Sequence, residues 1–157
     1  MLADFQNKVV LVTGAGSGIG QEAARAFASR GALVYAADLN ERGLAETQDL
    51  VAQAGGKAHV ARVDVSVEEE VSSLLLRIGE EAGHLDVAFN NAGITGGAQN
   101  PAFATQARGA IPAKRGGQPR EVAAAAIWLC STDASYVFGQ MLVVDGGMTI
   151  GGFEFIQ

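Results

Sequence analysis

A glycine-rich loop near the start of the chain combines residue types and a spacing suited to binding a phosphate. Residues 13–20 have the sequence TGAGSGIG and directly follow the apolar run VVLV. Gly14 permits a tight turn, and Gly16 or Gly18 lets the backbone approach a pyrophosphate. Gly20 allows the following helix to pack closely on a sheet. Backbone N–H groups and the helix dipole would then hold the anion. The alternative is a glycine-rich turn without a ligand.

An acidic residue, Asp38, ends the next strand-like run, about 20 residues beyond the glycines, where an acid can bind a ribose 2′-hydroxyl. A carboxylate at this position would repel a 2′-phosphate, and no lysine or arginine interrupts the glycine loop. The sequence therefore favours NAD over NADP, although Arg42, the nearest base after Asp38, weakens this preference. The alternative for Asp38 is an acid at a helix N-terminus.

A sheet is needed to position these residues, and the hydrophobic pattern of the sequence predicts one. Strand-like runs occupy residues 9–12, 32–36, 59–63 and 85–89. Three helical patterns lie between them, with apolar positions Ile19, Ala23 and Phe27 in the first, Leu44, Leu50, Val51 and Ala54 in the second, and Val67, Val71, Leu74, Leu75 and Ile78 in the third. Residues 66–69 resemble a capping box that opens the third helix. The alternation predicts the α/β class, with βαβ units forming a Rossmann-like doubly wound parallel sheet.

The periodic pattern breaks after residue 93. Residues 94–118 show neither helical nor strand periodicity and include Pro101 and Pro112. Regularity returns with a helix that begins at Pro119, whose predicted apolar stripe is Val122, Ala126 and Leu129. A last strand is predicted at residues 140–144. We expect a single domain over 1–157, with a cofactor-binding part at 1–93, an irregular junction at 94–118, and the C-terminal helix, last strand and tail at 119–157.

Composition and charge restrict the classes of function. The net charge of −6 argues against nucleic-acid binding and against an anionic membrane partner. The sequence has no apolar run long enough to span a bilayer and no recognisable signal peptide, and its lone cysteine, Cys130, suits a reducing compartment. We therefore expect a cytoplasmic protein. His59 and His84 have no partner cluster, so no metal site is predicted. Trp128 and Cys130 are expected on a packed helix face, and Asp145 in a turn.

Together these motifs resemble those of the short-chain dehydrogenase/reductase family. The loop has the family spacing T-G-x-x-x-G-I-G, and Asp64 and Val65 follow the third strand, where the family has a pair that contacts adenine. The sequence NNAG at 90–93 matches an element that supports the sheet beside the cofactor. Residues 115–122 and 139–147 resemble the family's C-terminal helix and last strand. The resemblance covers about residues 5–96 and 110–150.

The resemblance implies an NAD(P)-dependent oxidoreductase acting on CH–OH groups, with NAD favoured over NADP. The expected cofactor-binding residues are Gly14, Gly16, Ser17, Gly18, Ile19, Gly20, Asp38, Leu39, Asp64, Val65, Asn90, Ala92 and Gly93. Family members use a Tyr-x-x-x-Lys pair in which the lysine lowers the tyrosine pKa. Neither Tyr35 nor Tyr136 is followed four residues later by a lysine. No catalytic residue is therefore assigned, and the substrate, a small alcohol or ketone if the chain is active, stays unidentified.

The missing pair coincides with the irregular junction, where the family has two helices, two strands and its catalytic residues. A true deletion, natural or engineered, is the favoured explanation, and omission of residues from a longer sequence is the alternative. The leading hypothesis is an NAD(H)-binding protein with little or no turnover. One alternative is an active NAD-dependent dehydrogenase whose sequence is incomplete here. Another is a non-enzymatic fragment that assembles with related subunits.

Loss of the fifth and sixth strands would leave the fourth strand as an open edge and the last strand without a neighbour. We expect residues 140–144 either to lie beside residues 86–89 or to pair with another protomer. The resemblance also implies an oligomer that uses the last strand and the preceding helix, so a homo-oligomer is expected.

Overall fold

A computed structural model of the chain describes residues 4–94 and 111–150. Its centre is a parallel sheet of four strands in the order β3-β2-β1-β4. The strands are β1 (Val9–Thr13), β2 (Leu33–Asp38), β3 (Lys57–Arg62) and β4 (Val87–Phe89). The helices are α1 (Gly18–Ala28), α2 (Glu41–Gln53), α3 (Glu68–Ala82) and α4 (Pro119–Leu129), and a short 3-10 helix follows at Thr132–Ala134. The predicted Rossmann-like α/β fold is confirmed.

The sheet is covered on both faces, which explains why β1 is apolar at successive positions. Val10 and Val12 contribute to a core with residues of α1, α2 and α4, and Phe27 of α1 is fully buried there. Val9 and Leu11 contribute to a second core with residues of α3 on the opposite face. All five residues of β1 are buried, as expected for a central strand of a parallel sheet.

The predicted capping box at the start of α3 is wrong. The helix begins at Glu68, and its N-cap residue is Val67, which makes no side-chain cap. The Ser66 hydroxyl instead donates a hydrogen bond to Asp64 Oδ1 at 2.6 Å and does not cap the helix. Of the predicted apolar positions, Leu74 and Ile78 are buried, whereas Leu75 is exposed.

The C-terminal helix is confirmed from Pro119, but its buried face differs from the prediction. Ala123, Ala126 and Ile127 form that face, whereas Leu129 is exposed. The expectation that Trp128 lies on a packed helix face is wrong, because its side chain is 42% exposed. Cys130 is half-buried and packs against the core, and burial raises the pKa of its thiol.

The predicted last strand is also wrong for the chain as the structure describes it. Among the described residues, 140–144 pair with none of the four strands, and β1 is the only strand paired with β4. Placement beside residues 86–89 is therefore not observed. A strand needs backbone hydrogen bonds from a neighbour, and within 4–94 and 111–150 no strand supplies them here. Asp145 forms the expected turn, accepting from Gly147 N at 2.8 Å and Thr149 N at 2.7 Å.

Residues 4–94 and 111–150 contain neither a helix suited to crossing a membrane nor a cluster of metal-binding side chains. No helix there has both the length and the apolar character needed to cross a bilayer. In the same ranges, no group of three or more histidine, cysteine or acidic side chains is arranged to hold a metal ion.

Candidate functional site

The residues that follow the four strands meet at the carboxyl edge of the sheet. Because all strands are parallel, their carboxyl ends share one edge, which is where open α/β sheets bind ligands. A cleft of about 720 Å³ lies there between the glycine loop and the start of α4. A second pocket of about 360 Å³ adjoins it beside Asp64. The two cavities share Gly14, Asp38, Gly93 and Ile94.

Steric requirements explain the glycines of the loop. Gly14 has φ +66°, and a Cβ there would lie 2.8 Å from the Ala92 Cα atom. A Cβ on Gly20 would overlap the Gly14 carbonyl oxygen, so only glycine lets α1 begin this close to the loop. A Cβ on Gly18 would meet no atom within 4 Å, so the loop is open on that side. The backbone is thus accessible at the position where a phosphate would approach.

The Asp38 carboxylate is fixed against the glycine loop. Its Oδ2 accepts a hydrogen bond from Gly16 N at 2.8 Å, and its Oδ1 accepts one from Asn40 N at 2.8 Å. A Cβ on Gly16 would lie 2.9 Å from the Asp38 Cγ atom, so this contact also requires glycine. An ionised carboxylate has about four acceptor positions, which leaves about two for hydroxyl donors.

Thr13 and Asn91 tie the ends of β1 and β4 together, and the sequence reasoning included neither among the expected cofactor-binding residues. Thr13 Oγ1 accepts from Asn91 N and Ala92 N, each at 3.0 Å. Asn91 Nδ2 donates to the Thr13 carbonyl oxygen at 3.0 Å and to that of Gly14 at 3.4 Å. The motif NNAG was the available clue to Asn91, while Asn90 is exposed at the end of β4.

A buried hydroxyl joins α2 to the loop. Thr47 is fully buried, and its Oγ1 donates to the Ala15 carbonyl oxygen at 2.7 Å and accepts from Gln21 Nε2 at 3.0 Å. A Cβ on Gly43 would overlap the Gly16 carbonyl oxygen, so α2 begins directly against the loop. No spacing rule in the sequence pointed to Gly43 or Thr47.

The expected cofactor-binding residues divide between the two cavities. Those in the larger cleft are Gly14, Ser17, Gly18, Ile19, Asp38 and Gly93. The smaller pocket adds Leu39, Asp64, Val65 and Ala92. Gly16 and Gly20 support the loop from behind through the contacts above, and Asn90 lines neither cavity. The cleft also includes Gly117, Gln118, Pro119 and Val122, which the sequence reasoning did not predict for a site.

The basic residue nearest to Asp38 in sequence is paired with an acid of its own helix and not with a carboxylate of the site. Arg42, the base nearest to Asp38 in sequence, contacts Glu46 with Nε and Oε1 3.2 Å apart. Hydrogen bonds from the hydroxyl and the N–H of Ser66 lower the pKa of Asp64. Both carboxylates, those of Asp38 and Asp64, therefore face the cavities without an ion pair to Arg42.

The tyrosines and two of the lysines lie away from the cleft. Tyr35 is 1% exposed among the residues that pack on α3, and burial, together with its hydrogen bond to Glu81, raises the pKa of its phenol. Tyr136 is 98% exposed beyond α4. Lys8 precedes β1 and pairs with Asp86, and Lys57 begins β3. Both lysines are at the amino edge of the sheet, about 16 Å from the carboxyl edge along a five-residue strand.

Comparison with known proteins identifies the family. The profile described as short chain dehydrogenase matches residues 8–110, and that described as Enoyl-(Acyl carrier protein) reductase matches residues 95–149. The chain belongs to the short-chain dehydrogenase/reductase family. Its sheet, glycine loop and NNAG element are the parts of that framework that the structure describes.

Among curated relatives, a 3beta-hydroxysteroid dehydrogenase of Mediterraneibacter gnavus is 44% identical over 96 residues, covering 61% of this chain and 35% of the relative. A meso-2,3-butanediol dehydrogenase of Serratia marcescens is 41% identical over 92 residues, covering 57% of this chain and 35% of the relative. The chain thus spans about a third of the length of the curated relatives it matches.

Solved structures share the fold. A hydroxysteroid dehydrogenase from Escherichia coli has a TM-score of 0.77 at 25% identity, covering 92% of this chain and 97% of that chain. A 7α-hydroxysteroid dehydrogenase complexed with NADH and 7-oxo glycochenodeoxycholic acid has a TM-score of 0.81 at 24% identity, covering 92% and 95%.

Proposed function

We propose that this chain binds NAD(H) at the carboxyl edge of its sheet and has little or no turnover of its own. The observation that carries the proposal is the Asp38 carboxylate, which is fixed by Gly16 N and Asn40 N and retains acceptor capacity for two hydroxyl groups. The adenine-bearing ribose of a dinucleotide offers its 2′- and 3′-hydroxyls as such a pair. We assign the adenine to the smaller pocket beside Asp64 and the pyrophosphate to the open side of Gly18.

Charge supports NAD over NADP. A 2′-phosphate would bring negative charge beside the Asp38 carboxylate, which disfavours its binding. Arg42 could have offset this repulsion, but it is paired with Glu46. That the structurally similar 7α-hydroxysteroid dehydrogenase is complexed with NADH agrees with this assignment.

Low turnover follows from the placement of the tyrosines. The family's general acid/base is a tyrosine whose pKa is lowered by a lysine, whereas burial raises the pKa of Tyr35. Tyr136 is followed by Gln140 at the position where the pair needs lysine. We therefore assign no residue of this chain to proton transfer. If the sequence is part of a longer enzyme, the intact mass of the natural protein would exceed 16.1 kDa.

Fluorescence titration with NADH and NADPH tests the binding proposal. We expect saturable NADH binding and at least about tenfold weaker NADPH binding. Asp38→Asn removes the charge and should weaken NADH binding about tenfold, as for loss of a hydrogen bond to a charged group. Asp49→Asn makes the same change at an exposed position of α2 and should bind NADH like the parent protein. Absence of saturable binding at millimolar NADH would overturn the proposal.

We also propose that the chain is a single domain of a cytoplasmic protein and that it self-associates through residues 140–144. This segment is apolar, and Met141 is 89% exposed while Val143 is 51% exposed. An exposed apolar segment whose backbone has no strand neighbour among the described residues can pair with another chain. Size-exclusion chromatography over a range of concentrations should show a dimer or larger species, and a monomer at every concentration would contradict this assignment.

A further inference from the structure

The wall of the cleft opposite the glycine loop comes from a distant part of the chain. Gly117, Gln118, Pro119 and Val122 line it, although they follow the loop by about 100 residues in sequence. They reach this position because α4 packs on α1 through its own buried face, which includes Ala123. The first turn of α4 is thereby held beside the start of α1.

Side-chain hydrogen bonds connect residues of the segment that forms this wall. The Arg115 guanidinium donates two hydrogen bonds to Glu121, with both nitrogen–oxygen distances 2.6 Å. Gln118 N donates to Glu121 Oε2 at 2.7 Å. The Glu121 carboxylate is thus occupied by groups of its own segment, and it links Arg115 and Gln118 to the first turn of α4 at the edge of the cleft.

We infer that the first turn of α4 binds the nicotinamide half of the dinucleotide, with Val122 as its apolar contact and Gln118 as its polar neighbour. This inference rests on the proposed NAD(H) site. Because the cleft and the smaller pocket share Gly14 and Asp38, one elongated ligand can occupy both. With adenine beside Asp64 and the ribose on Asp38, the remaining half of the molecule extends into the cleft toward α4.

The chemistry of the wall suits this half of the ligand. A nicotinamide ring has apolar faces and a carboxamide edge that both donates and accepts hydrogen bonds. Val122 and Pro119 offer apolar surface, while the Gln118 side chain carries a matching amide. A cleft that combines apolar surface with polar groups is typical of cofactor sites.

Binding of NADH and of ADP-ribose, which lacks the nicotinamide, separates the two halves of the site. Val122→Ala removes two methyl groups that the bound nicotinamide would partly bury, so it should weaken NADH binding about fivefold. It should leave ADP-ribose binding unchanged. Leu129→Ala truncates an exposed apolar residue of the same helix and should change neither affinity. If NADH binds but Val122→Ala behaves like Leu129→Ala, the inference is wrong while the proposed function stands. If neither ligand binds the parent protein, the proposed function fails as well.

Hydrogen exchange of the unmodified protein provides a test that does not depend on variants. NADH should slow amide exchange in residues 117–122 more than ADP-ribose does, while both ligands should protect the glycine loop equally. Equal protection of residues 117–122 by the two ligands would overturn the inference.

Discussion

The glycine-loop edge of the sheet and the segment at residues 136–144 differ in how far their groups find partners within the chain. At the loop, the polar groups of Thr13 and Asn91 have partners in the same chain. In residues 136–144, Tyr136 is 98% exposed and Phe138 is 77% exposed, although the sequence there resembles the family's last strand. A family motif therefore forms its structure only where the neighbours it needs are also present.

The largest loss of stability is expected from a substitution at Gly20, in the well-packed glycine loop. Gly20→Ala places a Cβ on the Gly14 carbonyl oxygen and should lower the free energy of unfolding by about 3 kcal/mol. Gly79→Ala is the matched control, because a Cβ at this position of α3 meets no atom within 4 Å. It should raise stability by about 0.5–1 kcal/mol. Urea denaturation measures both changes, and equal effects would refute the close packing described for the loop.

A smaller loss is expected when the link between β1 and β4 is removed. Thr13→Val deletes the acceptor used by Asn91 N and Ala92 N and should cost about 1–3 kcal/mol of unfolding free energy. Thr13→Ser keeps the hydroxyl and should recover most of that loss. The test is urea denaturation of the two variants, and the account would be contradicted by a valine variant as stable as the serine variant.

In the exposed segment, a substitution should change association rather than stability. Val143→Lys adds a charge to residues 140–144 and should shift sedimentation toward the monomer, because charges discourage edge pairing. Its free energy of unfolding at low concentration should change by no more than about 0.5 kcal/mol. Leu76→Lys is a control at an exposed apolar position of α3 and should leave the oligomeric state unchanged. Equal sedimentation of both variants and the parent would exclude residues 140–144 as the interface.

The smallest effect concerns pH. The Arg115 guanidinium, followed by the N–H of Gln118, lowers the pKa of Glu121 from 4.5 to about 2. Because the folded pKa lies below the unfolded one, this carboxylate contributes stability above about pH 4.5 and loses it as the pH falls toward 2. Glu121→Gln should therefore flatten the dependence of the melting temperature on pH in that window. An unchanged pH profile would show that the pair is not formed in solution.

The sequence predicted the parts whose determinants are local. Strand–helix alternation and the run at β1 were sufficient for the parallel sheet, and the glycine spacing located the loop. The contacts of Thr47 and the wall formed by Val122 could not be predicted, since each depends on how separate helices pack. The error at residues 140–144 has a related cause, because hydrophobic pattern specifies a strand's propensity but not the presence of its neighbour.

The errors at the start of α3 and near the end of α4 have equally specific causes. Ser66 was assigned as a cap from its spacing to Glu69, but its hydroxyl donates a hydrogen bond to the neighbouring Asp64 carboxylate instead. Trp128 was expected on a packed helix face, but the buried positions of α4 are filled by alanine and isoleucine. A local hydrogen bond decided the first case, and the packing of α4 against the rest of the protein decided the second.

We propose that this chain has a dinucleotide site but lacks the family's catalytic Tyr-x-x-x-Lys pair. Calorimetric titration of NADH into protein whose measured mass is 16.1 kDa tests it most directly. The account predicts a saturable heat of binding that Asp38→Asn weakens about tenfold, with no oxidation of NADH when simple ketones are added. No saturable heat up to millimolar NADH, or rapid NADH oxidation by this protein, would contradict it.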